Sequence, residues 1–139
     1  MAFSDTLRNA MLDQAFGNSS FLSVTTLYVG LSRAEPGFDA SVNSEPSGNS
    51  YARVAVVNSV NNWAVGASGV KRNQTAFTFP EATGSWGLVS HATVWTHVTS
   101  DGSGAYWGSA PLGVSKSILS GDTPNIPANS LSFTVNSSA

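Results

Sequence analysis

The residues of this chain that could do chemistry are few: two histidines, His91 and His97, eight acids, four tryptophans and no cysteine among 139 residues. Without cysteine there is neither a disulfide framework nor a thiolate metal site. His91 and His97 share one face of a predicted strand over 86–98. Six extended residues set them about 20 Å apart, too far to hold one metal ion. Serine is abundant, yet no G-x-S-x-G elbow or other local motif places one beside an activating base. Sugar cleavage needs two carboxylates flanking a bond. Here Glu35, Asp39 and Glu45 fall in one loop-like stretch and Glu81 follows Pro80, a pattern that reads as solvated loop acids. Asp101-Gly102-Ser103-Gly104 opens like a calcium loop but lacks the further acidic ligands, so it reads as a turn. This set predicts no catalytic residue, no metal site and no cofactor, and the chain is read as non-enzymatic.

Binding chemistry is the other use of such residues. An indole face stacks on the apolar face of a sugar and its N–H adds a polar handle, so Trp63, Trp86, Trp95 and Trp107 are candidates for a glycan platform. Three of the four are expected in the core. The strand face carrying His91, Trp95 and His97 is kept as a possible glycan or interface surface. The N-x-S/T matches at Asn18, Asn73 and Asn136 are easily coincidental in a chain this rich in Ser and Thr.

The elements that position these residues are mostly strands. One helix opens the chain over 4–17, with Ser4 as cap, Asp5 in the first turn and Gly17 as terminator. Leu7, Ala10, Met11 and Ala15 make one apolar stripe, and Leu12 and Phe16 an i, i+4 pair on a different side. One stripe should dock on the sheet; the second needs a further partner, a neighbouring subunit or a loop of the same chain. Leu12 and Phe16, with Met11 beside them, are the residues expected at a subunit contact.

Leu27, Val29 and Leu31 alternate with Tyr28, Gly30 and Ser32 as in a strand with one apolar face. A breaker-rich stretch with Glu35-Pro36-Gly37 and Glu45-Pro46-Ser47-Gly48 follows and predicts a long surface loop. Long loops in compact domains are usually functional, so Pro36, Phe38 and Pro46 are expected to contact a shell or another partner. Further strands are predicted over 51–57, 76–79, 86–98 (long enough to bend or bulge), 105–110, 114–119 and 131–135. In strand 86–98, Leu88, Ala92, Val94 and Val98 should face one way, and Val89, His91, Thr93, Trp95 and His97 the other. Short strands behind one helix predict a mainly β single domain, either a β-sandwich or a Greek-key barrel, spanning 25–135 and ending in a loose tail over 136–139.

Composition narrows the function class. Charged residues make up 10% of the chain against roughly 25% in ordinary soluble domains. A surface of uncharged polar groups lets copies pack side by side with little repulsion. Net charge is −2 and the six basic residues are scattered apart from Lys71-Arg72, which argues against a nucleic-acid partner. No apolar run reaches the roughly 20 residues of a spanning helix, so no membrane partner is expected. The N-terminus lacks the grammar of a signal peptide, and synthesis in a host cytoplasm is the expectation.

The order of the pieces also resembles a family. The helix over 4–16 with Leu12-Asp13, the strand Leu27-Tyr28-Val29-Gly30-Leu31, the segment Ser50-Tyr51-Ala52-Arg53, the run from Phe77-Thr78-Phe79-Pro80-Glu81-Ala82-Thr83 into Trp86-Gly87, and Ser120-Gly121-Asp122-Thr123 before 131–135 are together similar to small tailed-phage proteins labelled phage tail fibre protein. The resemblance covers nearly the whole chain, and the region 34–49 departs from it by its length. It implies a virion structural role with no catalytic residues, either tail-associated or as a trimeric decoration of the capsid. The expectation is therefore a capsid-decorating cement subunit, a homotrimer seated on the major capsid protein or other virion proteins. The alternative is a tail-fibre or tail-tip module touching the host.

Overall fold

The computed structural model describes residues 2–17, 24–37, 44–99 and 106–134. The expected turn over 101–104, the tail over 136–139 and Phe38 lie outside the described residues. The architecture is mainly β behind one short helix, as the alternation predicts. After a two-residue strand β1 (Ala2–Phe3) comes helix α1 (Asp5–Ala15). The Ser4 hydroxyl caps it by accepting from the Leu7 N–H at 3.1 Å, satisfying one of the orphan donors of the first turn. Arg8 pairs with Asp5 one turn back. At the other end the Phe16 N–H closes the last turn on the Leu12 carbonyl at 2.7 Å.

Strands β2 (Thr26–Ser32), β3 (Val54–Val57), β6 (Gly87–Trp95) and β7 (Tyr106–Ile118) build an antiparallel sheet with β1, in the order β1-β7-β6-β2-β3. Two small antiparallel pairs form alongside it. They are β4 (Val70–Arg72) with β9 (Ser132–Thr134), and β5 (Phe77–Thr78) with β8 (Asn125–Ile126). One apolar core joins Leu27, Val29 and Leu31 of β2 and Val89, Ala92 and Val94 of β6 to Trp63, Phe77, Phe79, Ile126, Leu131 and Phe133. The two layers are thus sandwiched over one core, and the sheet stays open, with β1 and β3 as its edges. Asn73 ties the second layer together: its side-chain amide donates to the carbonyls of Thr75 and Pro127, both at 2.9 Å, and its oxygen accepts the Leu131 N–H at 2.9 Å. An amide fully removed from water is tolerable only when satisfied in this way.

Three details of the expected strands are corrected. Between His91 and Val89 strand β6 covers two residues while β7 advances five, from Pro111 to Lys116. The bulge shifts the phase of the pleat, so Val89 joins Ala92 and Val94 in the core while Leu88 is left exposed, the reverse of strict alternation. The segments expected as separate strands over 105–110 and 114–119 are one continuous strand, because the surplus residues bulge outward instead of breaking it. Val114, on that bulge, is 82% exposed. Strand β6 also ends at Trp95, before His97 and Val98.

Candidate functional site

The outer face of the main sheet, which an alternating pattern would leave to solvent, is covered by the chain segment 44–53. Along this face Tyr106, Trp95 and Tyr28 lie side by side on β7, β6 and β2. Arg53 lays its guanidinium over the Trp95 ring, 3.9 Å from the centroid. It also donates to both carboxylate oxygens of Glu45, each at 2.8 Å, and to the His97 carbonyl at 2.9 Å. Tyr51 completes the set: its hydroxyl donates to Glu45 at 2.6 Å and accepts the Leu31 N–H at 2.9 Å. Burial, reinforced by the Glu45 carboxylate, pushes the Tyr51 phenol far above its ordinary range. Gly30 lies beneath. A Cβ there would stand 2.7 Å from Glu45 Oε2, 2.8 Å from Thr93 Oγ1 and 2.9 Å from the Tyr51 hydroxyl.

This arrangement decides several expected contacts. Trp95 is 2% exposed and its indole N–H is used by Thr93 Oγ1 at 2.8 Å. It therefore cannot serve as a sugar-stacking platform, and the face expected to carry His91, Trp95 and His97 together does not exist as one exposed surface. His97 is exposed beyond the strand, and His91 is half-buried. Trp63 and Trp86 are also buried and Trp107 is half-buried, the three-in-four split expected of the tryptophans. Pro36 and Pro46 are buried against their own chain instead of being offered to a partner. The physical reason is the Glu45–Arg53 pair, which pulls the loop down onto the sheet. Pairing of an acid eight residues ahead of an arginine, across a turn-rich segment, leaves no periodic signal, so sequence reasoning missed it.

Ser90 and His91 make the contact closest to catalytic chemistry, with Ser90 Oγ and His91 Nδ1 2.8 Å apart. Burial lowers the His91 pKa, and the Glu35 charge offsets part of that shift, so the ring is neutral near pH 7. No hydrogen bond from a carboxylate to His91 is found among the described residues, and none of their His, Asp and Glu residues cluster in threes to hold a metal ion. No helix among them is long and apolar enough to cross a membrane.

Apolar side chains remain open on the helix and also on strands and loops, among them Val57, Val65, Leu88 and Val114. Leu7 is buried and Ala10 and Met11 are half-buried, so the expected stripe docks over its first part, while Ala15 is exposed. Leu12 is 57% and Phe16 84% exposed. Beside the start of the helix runs a groove of about 200 Å³, walled by Phe3, Leu7, Leu27, Trp63, Trp107 and Phe133, with Lys71 and Asn58 also on its lining. The buried Trp63 indole N–H finds no hydrogen-bond partner among the described residues.

A search among curated proteins finds no match to this chain. A family model does match, from residue 2 to residue 134, and its description is Podophage GP4 fiber I protein gp80. Its span takes in the helix, both layers of strands, the Glu45–Arg53 clasp and the groove, and so the chain belongs to this family of phage fibre proteins, structural components of the virion.

Proposed function

We propose that this chain is a non-enzymatic building block of the phage particle, a capsid-decorating cement subunit that works as a homotrimer on the major capsid protein or its neighbours. The observation that carries the reading is the helix: its Leu7 side is buried on the sheet, while Leu12 and Phe16 stand open at 57% and 84%. Two large apolar side chains left open on one side of the helix gain from burial when another protein covers them. The low charge supports close packing of copies. Many modest contacts repeated over a lattice add up to a large total without any single strong interface.

The second reading, a tail-fibre or tail-tip module, is supported by the family's description as a fibre protein. Electron microscopy of the particle, with the chain labelled by antibody and gold, separates the two. Decoration of the head is the expected result; label confined to the tail replaces it with the second reading, and absence from the particle sinks both.

A further inference from the structure

Phe16 and the apolar groove are a knob and a hole on different parts of the same chain. Nine residues of helix separate Phe16 from Leu7, about 13 Å along the axis, so the knob stands away from the hole beside its own Leu7. We propose that Phe16 of one copy enters the groove of a second copy, with Asp13 of the first against Lys71 of the second. This deepens the reading of the chain as a multi-copy subunit and rests on it.

Size and charge both fit. An apolar cavity of about 150 Å³ accepts benzene, and the groove measures about 200 Å³, so a phenyl ring has room. The walls are aromatic and aliphatic, and Lys71 is half-buried on the lining with no ion-pair partner among the described residues. Asp13 sits in the last turn of α1, where a carboxylate opposes the helix dipole. It has no ion-pair partner among the described residues either. Asp13 and Phe16 are three apart and thus neighbours on the helix surface. A copy that inserts Phe16 brings with it an unpaired acid for an unpaired amine. Because knob and hole are distinct patches, the contact is head to tail, and a rotation of a third of a turn between copies would close it into a trimeric ring.

The test is the association state of the purified full chain by sedimentation over a concentration series, beside Phe16→Asp, Asp13→Lys, Lys71→Asp and the Asp13→Lys/Lys71→Asp double variant. Thermal melting of each at low concentration controls for folding. The wild type should associate, and Phe16→Asp should stay monomeric with a melt lowered only slightly, by the acid placed at the helix C-terminus. Each charge reversal should weaken association about two- to five-fold, and the double variant should restore it. Asp13→Lys should also hold or raise the melt, since a cation suits a helix C-terminus, so that its loss of association cannot come from misfolding. A wild type that remains monomeric at every concentration overturns the proposal. So does a Phe16→Asp chain that associates like the wild type, and that result leaves the virion reading standing; absence of the chain from the particle is what removes the latter.

Discussion

Arg53 holds Glu45 through two parallel 2.8 Å hydrogen bonds, Nε to Oε2 and Nη2 to Oε1, while its guanidinium lies flat over Trp95. The Arg53 side chain is 2% exposed and that of Glu45 14%. A pair so far out of water is held by mutual satisfaction, and removing one partner strands the other charge. Glu45→Ala should therefore destabilise the fold by about 3–5 kcal/mol, read as a lower urea midpoint. The Glu45→Ala/Arg53→Met double variant should be more stable than Glu45→Ala alone, because no buried charge remains.

Gly30 is the floor of the same clasp. Since a methyl group there would crowd Glu45, Thr93 and Tyr51 at 2.7–2.9 Å, Gly30→Ala should cost about 1–3 kcal/mol as an overpacked site. The same urea titration measures it. Equal stability to wild type would mean that the segment 44–53 does not rest on the sheet as described.

The core strands were legible from the sequence, and the clasp was not. Leu27, Val29 and Leu31 alternate as a half-buried strand must, and Ser4 with Asp5 announces the helix start; both signals are local. The phase of β6 was lost at the bulge between Val89 and His91, because a bulge is fixed by the partner strand's surplus residues and not by β6 itself. Trp95 looked like a candidate surface aromatic because its cover, Arg53, comes from 42 residues earlier. At the helix end the i, i+4 spacing of Leu12 and Phe16 revealed the exposed pair. The groove is built from seven separate stretches of chain, which no short pattern can signal.

Asn73 should prove the most sensitive polar residue of the second layer. Asn73→Leu leaves the buried Leu131 N–H without its acceptor and takes one donor each from the Thr75 and Pro127 carbonyls, the latter still accepting from Ser130. At about 1–3 kcal/mol for a buried group left unsatisfied, the orphaned Leu131 N–H sets an expected loss of about 1–3 kcal/mol. Calorimetry should show it as a drop in melting temperature.

Stability should decline at both ends of the pH scale for different reasons. Burial raises the pKa values of Tyr51 and Tyr106. The folded state thus keeps protons that the unfolded chain begins to release near pH ~10, and stability falls as the pH rises past that point. His91 is lowered, chiefly by burial; the unfolded chain then binds a proton first, and stability falls as the pH drops below ~6.5. Urea midpoints from pH 4 to 11 check both limbs. Tyr51→Phe should flatten the alkaline one, and an unchanged alkaline slope in that variant would contradict the burial of this phenol.

The account turns on whether protein covers Phe16 once the particle is built. The chain contains no cysteine, so Leu12→Cys creates a unique reporter beside Phe16 that keeps the phenyl ring, at a position that is 57% exposed in the single copy. Its rate of reaction with a thiol reagent is the deciding measurement, taken on the dilute isolated protein and again on purified particles carrying the variant. Fast labelling of the free chain and strong protection in the particle is the expected result. Equal rates in both would contradict the account.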